Sequence, residues 1–179
     1  MFVPLSEVST EQRPGGEERN YFYFYQRAKL PIEIVITRLP AFFEADQNWH
    51  RHTYVEEYSV PLTGEIIIKE LVNNKVQQRK VSEAILKPNE WIVGIECTDS
   101  KKATLLLDNK SGKRHELVVE FDEKFSEGKS WHTVSNPTKS MITMLTLKRV
   151  PRAILKKDPL VFRVDREKYS DYRIDMLQE

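Results

Sequence analysis

A succession of short runs rich in β-branched and aromatic residues, each closed by a turn cluster and almost free of helical period before residue 150, constrains this chain most. Tyr21-Phe-Tyr-Phe-Tyr25 and Ile32-Glu-Ile-Val-Ile-Thr37 suit a pleated surface and read as two strands separated near Pro31. Further strands are expected over 54–62 and 65–71, with Asn73-Asn74 as a turn, and over 81–86 and 91–97, on either side of Lys87-Pro-Asn-Glu90. Two more, over 103–107 and 116–121, flank Asp108-Asn-Lys-Ser-Gly-Lys113, a hairpin loop in which Gly112 is available for positive φ. Met141-Ile-Thr-Met-Leu-Thr-Leu147 closes the series. Many short strands between turn clusters predict an all-β sandwich or barrel.

Two stretches carry residues able to bind metal: Asn48-Trp-His-Arg-His-Thr-Tyr-Val-Glu-Glu-Tyr-Ser-Val-Pro-Leu-Thr-Gly64 and Gly128-Lys-Ser-Trp-His-Thr-Val-Ser-Asn136. On a strand, residues two apart project the same way, so His50 and His52 can grip one ion from one side. Glu57 lies at an odd offset from His52 and needs a bulge or bend to join them, whereas Glu56 has the parity of the histidines and competes for the role. Alternation of Tyr58, Val60 and Leu62 with Glu57, Ser59 and Thr63 favours Glu57 as the residue on the polar face, before Gly64 turns the chain. His132 must then arrive from a neighbouring strand. His50, His52, Glu57 and His132 together are a plausible ligand set for one divalent transition metal: iron, manganese, nickel, cobalt, copper or zinc. Such a set leaves positions open for a chelating substrate and requires deprotonated imidazoles.

These two stretches resemble the paired motifs of the cupin superfamily. His50, His52, Glu57 and Gly64 follow the first motif, with four residues before the Glu, and His132 and Asn136 end the second. Ala45 stands where the first motif has Gly, and Ser126-Glu127-Gly128 replaces the Pro-x-Gly turn of the second, changes that touch loop shape more than ligation. The resemblance implies an antiparallel jelly-roll β-barrel over 21–150, with an N-terminal strand extension, and it implies a homodimer.

Around that barrel, residues 1–20, with Pro14-Gly-Gly-Glu-Glu-Arg-Asn20, read as a flexible leader. The charged, proline-broken segment 151–179 reads as a C-terminal extension that packs on the barrel, extends a partner's sheet, or stays partly mobile. A length of 179 residues suits one buried domain rather than two. The net charge of +1 gives no reason to invoke nucleic acid or an anionic membrane, and no apolar run approaches the length of a bilayer span. Lone Cys97 excludes an intrachain disulfide and reads as a small buried hydrophobe, and a cytoplasmic location is the default. Neither phosphate-cradling glycine motif occurs, which argues against nucleotide hydrolysis. His115 reads as a surface histidine outside the ligand set, and Ser59, Thr63 and Val134 as candidate lining positions.

Three functions fit this reading. The leading one is a metal-dependent enzyme acting on a small molecule in the barrel, with oxygenase chemistry ahead of isomerase or lyase chemistry. The second is a non-catalytic cupin that binds a small ligand or a structural metal. The third is an isomerase or epimerase that pairs a histidine base with a tyrosine acid, against which retention of all four ligands argues.

Overall fold

Alternating polarity along the strands decides which way each sheet faces, and two separate apolar cores result. The computed structural model describes residues 2–24, 32–44, 50–52, 56–98, 102–120, 126–127, 131–149 and 174–176. At Tyr23, 50–52, Glu56, Lys102, Glu120, Ser126, Glu127, Arg149 and 174–176 it describes the backbone alone.

The described strands are β1 (Phe2–Pro4), β2 (Ser9–Gln12), β3 (Glu18–Tyr23), β4 (Ile32–Leu39), β5 (His50–His52), β6 (Glu56–Pro61), β7 (Ile66–Val72) and β8 (Lys75–Val81). They continue with β9 (Ile92–Cys97), β10 (Lys102–Asn109), β11 (Arg114–Glu120), β12 (Ser126–Glu127), β13 (His132–Ser135), β14 (Ile142–Arg149) and β15 (Ile174–Met176). They form a four-stranded sheet β1-β9-β10-β11, a six-stranded sheet β12-β6-β14-β4-β3-β2 and a five-stranded sheet β15-β5-β13-β7-β8. Pairing in all three is antiparallel, giving the all-β architecture that the strand pattern predicts, in the jelly-roll form that the resemblance implies.

Phe22 of β3, Ile32, Ile34 and Ile36 of β4, Val60 of β6 and Leu145 and Leu147 of β14 pack with Ile95, Leu105, Leu107 and Val119 of the four-stranded sheet in the larger core. The opposite parity of the six-stranded sheet supplies Leu39, Ile142 and Met144 to a smaller core with Ile66 and Ile68 of β7 and Val134 of β13. The six-stranded sheet is thus apolar toward one neighbour and mixed toward the other. Cys97 lies buried in the larger core, as its setting predicts.

Two expectations are corrected. Residues 1–20 are not a loose leader in their described part. β1 pairs with β9, Val3 joins the larger core, and the Phe2 ring sits against Gly94. The Pro14-Gly15-Gly16 turn joins β2 to β3, with Gly15 and Gly16 both at positive φ. Burial of Val3 and a complete ladder outweigh the polarity of the turn. A strand over 81–86 is likewise replaced by β8 over Lys75–Val81, whose residues are exposed except half-buried Val81, so that it carries no apolar alternation. Leu86 instead enters the larger core from a loop, its backbone N–H donating to the carbonyl of Leu62. Most of the extension 151–179, with Trp49 and Gly128, lies outside the described residues. No described helix is long and apolar enough to cross a membrane.

Candidate metal centre

The site begins with a change of sheet. The chain runs along the five-stranded sheet through His50–His52 and enters the six-stranded sheet at Glu56, with 53–55 outside the described residues. The odd offset of Glu57 is therefore no obstacle, because the two motif segments are separate strands and parity does not carry from one to the other. Within β6, Tyr58 and Val60 turn to the larger core, which leaves Glu57 and Ser59 on the opposite face. Ser59 Oγ lies 3.0 Å from Thr146 Oγ1 of the paired strand.

His132 does arrive from a neighbouring strand. It opens β13, where its register partners are His50 of β5 and Glu70 of β7. Two residues on, Val134 packs into the smaller core, so the even-numbered positions of β13 face the six-stranded sheet. Across the space between the sheets, His132 Nε2 lies 3.5 Å from Glu57 Oε1, with the two side chains 14% and 12% exposed. Two ligands of one ion at about 2.1 Å lie roughly 3.0–3.5 Å apart, so this separation suits cis coordination as well as it suits an ion pair. Shielding from water strengthens either interaction.

Of the four expected ligands, the described side chains bring together Glu57 and His132. His50 and His52 are placed on β5, directly beside β13. Among the described residues no group of three or more His, Cys, Asp or Glu side chains gathers, the side chains of 50–52 and Glu56 lying outside that set. A carboxylate and an imidazole converging from different sheets, next to a His-x-His strand, have the donor chemistry of a borderline divalent ion.

The remaining motif positions shape the loops around this pair. Gly64 has φ +71°, and a Cβ there would fall 2.7 Å from Ile142 Cγ2, so both conformation and space demand glycine. Asn136, 1% exposed, ties a loop: Nδ2 donates to the carbonyls of Leu39, Pro40 and Ser140, and Oδ1 accepts from the N–H and hydroxyl of Thr138. It is a structural knot. Thr63, a candidate lining position, serves similarly by accepting the backbone N–H of Thr143. His115 stands on β11 in the four-stranded sheet, 3.6 Å from Glu90, half-buried rather than on the surface. Tyr58, on the face away from Glu57, has its phenol pushed above its ordinary pKa by burial and then by Glu83.

The sequence reading missed a polar row on the same face as Glu57. Antiparallel register sets Lys148 of β14 opposite Glu57 on one side and Glu33 of β4 on the other. Glu33 is 6% exposed and Lys148 half-buried, and Thr146 and Thr37 on this face are buried too. The signal was present: in Leu145-Thr-Leu-Lys148 the leucines belong to a core, so the threonine and lysine between them share the other face.

No protein-family model matches the sequence, and no curated protein is similar to it in sequence. Solved structures show the likeness. A single-site variant of oxalate decarboxylase from Bacillus subtilis aligns with a TM-score of 0.51 at 11% identity, over 99% of this chain and 42% of that one. A second variant of the same enzyme gives 0.51 at 11% identity, over 96% and 39%. The Schizosaccharomyces pombe Cnp3 cupin domain gives 0.45 at 10% identity, over 87% of this chain and 77% of that one. On the two oxalate decarboxylase alignments the chain has a cupin fold, while spanning less than half of oxalate decarboxylase. At such identities the likeness speaks to the fold alone.

Proposed function

We propose that this chain is a metal-dependent cupin enzyme acting on a small molecule between the five- and six-stranded sheets, with oxygenase chemistry favoured. The observation that carries the reading is the 3.5 Å approach of His132 to Glu57, each delivered by a different sheet. His50, His52, Glu57 and His132 would hold a divalent transition metal. When bound, the metal would supply Lewis-acid polarisation of a chelating substrate and, as iron, redox chemistry with dioxygen.

The chain's own residues account for the rest. Glu57 and His132 are shielded from solvent, so the Glu57 charge acts at low effective dielectric. Ser59 and Thr146 add hydroxyls on the face of Glu57. The apolar contacts of Ile142, Met144 and Val134 with β7 close the space beyond them.

The deciding experiment is elemental analysis of protein purified without chelating resin, wild type beside His52→Ala and His132→Ala, with oxygen uptake followed on any metal found. Near-stoichiometric metal that disappears in both variants is the expected result, and iron with substrate-dependent oxygen uptake identifies an oxygenase. Metal that stabilises the fold without turnover would make the chain a binding module. Absence of metal after reconstitution with each ion overturns the reading.

A further inference from the structure

Resting on that reading and extending it to the substrate, we propose that Lys148 holds the carboxylate of a small organic acid bound beside Glu57 and His132. β14 sends Ile142 and Met144 into the smaller core, and Thr146 and Lys148 share their face by strand parity. The polar end of this strand therefore stands where Glu57 meets His132. Residues directly opposite on an antiparallel pair have Cβ atoms about 4.5–5.5 Å apart, so the flexible lysine arm can bring its ammonium to a ligand contacting Glu57.

The surroundings select the charge and size of that ligand. Among the described residues, no ion pair joins Lys148 to Glu33 or Glu57, its two register partners. On the same face, Arg19 is engaged by Glu17 at 2.5 Å. Lys148 is thus the described cation on this face that remains available to an anion. Of the Ser59 and Thr146 hydroxyls, one donates to the other, and the remaining proton can be given to a ligand oxygen. A doubly charged phosphate would meet both Glu33 and Glu57, whereas a singly charged carboxylate suffers less repulsion and still makes a charge-assisted hydrogen bond with the ammonium.

Calorimetric titration of metal-loaded protein with the monoanions lactate, glycolate and 2-hydroxybutyrate, beside uncharged lactamide, tests this assignment. Wild type is expected to bind at least one acid about tenfold more tightly than lactamide. Lys148→Met should erase that preference with bound metal unchanged, and Lys148→Arg should restore part of it. Thermal melts of both variants establish that they fold. Equal acid affinity in wild type and Lys148→Met overturns the proposal and leaves the metal reading intact, and so does a wild type that binds none of the acids. Should no metal bind, the titrations are run on metal-free protein. An acid preference that depends on Lys148 then sustains this inference although the metal reading has failed, and its absence overturns both.

Discussion

The two faces of the six-stranded sheet differ in what they bury. One presents Phe22, Ile32, Ile34, Ile36, Val60, Leu145 and Leu147 to the four-stranded sheet; the other presents Glu57, Ser59, Glu33, Thr37, Thr146 and Lys148 beside a smaller apolar patch. Burying apolar area is favourable at roughly 25 cal/mol per Å², while a buried carboxylate or hydroxyl costs free energy unless it finds a partner. The first face can hold the fold together. The second is buried at a cost that the proposed metal and ligand would offset. Strand alternation lets one sheet serve both purposes, because neighbouring residues never compete for the same side.

The largest test of this contrast is Phe22→Ala, which should lower stability by about 3–5 kcal/mol in urea denaturation, against less than about 1 kcal/mol for Ser59→Ala. Comparable losses would break the division of labour. A saturating divalent ion at about 100 times its Kd should add about 2.7 kcal/mol to wild-type stability and nothing to His132→Ala, as read by thermal melts with and without a chelator. Asn136→Ala should cost about 2 kcal/mol by leaving the loop carbonyls and Thr138 without their partner, while bound metal measured under native conditions is retained. That result would separate the motif's knot from its ligands.

The smallest effect is expected at the rim of the apolar face. There Gln12 hydrogen-bonds Glu18, and Arg38 lies 3.3 Å from Glu18 while stacking 4.2 Å over the Trp91 ring. The hydrogen bond from Gln12, aided by Asn20 and Arg38 and opposed by burial, holds the Glu18 carboxyl below its ordinary pKa. A folded-state pKa below the unfolded value makes this stabilisation present above the ordinary carboxylate range and lost as pH falls through the depressed value. Melting temperatures followed from about pH 6 to pH 3 should therefore decline slightly less for Glu18→Gln than for wild type.

Local chemistry was legible where it is self-contained. The loop 108–113 could be placed because Asn109 organises it alone, its Oδ1 accepting from Ser111 and Lys113, with Gly112 at φ +80°. β4 and β14 were visible because β-branched and aliphatic residues fill most positions of Ile32-Glu-Ile-Val-Ile-Thr37 and Ile142-Thr-Met-Leu-Thr-Leu147. β8 was hidden, since an exposed edge strand needs no apolar alternation. The leader was misjudged because the pairing of β1 with β9 and of β2 with β3 is non-local or set by a polar turn. At the site, residue types and motif order pointed to Glu57 and His132, but the route by which they meet did not follow from strand parity. Parity describes one continuous strand, and this chain changes sheets between His52 and Glu56.

The position of β5 also bears on the order of folding. Its ladder partners are β13, at His132, and β15, at Ile174–Met176, both far downstream of His50. Closing such long loops is entropically slow, whereas hairpins such as β7–β8 and β10–β11 form from neighbouring segments. The His-x-His strand therefore cannot complete its ladder until those distant segments arrive. An ion captured there would fasten a long-range closure of the chain rather than a local hairpin.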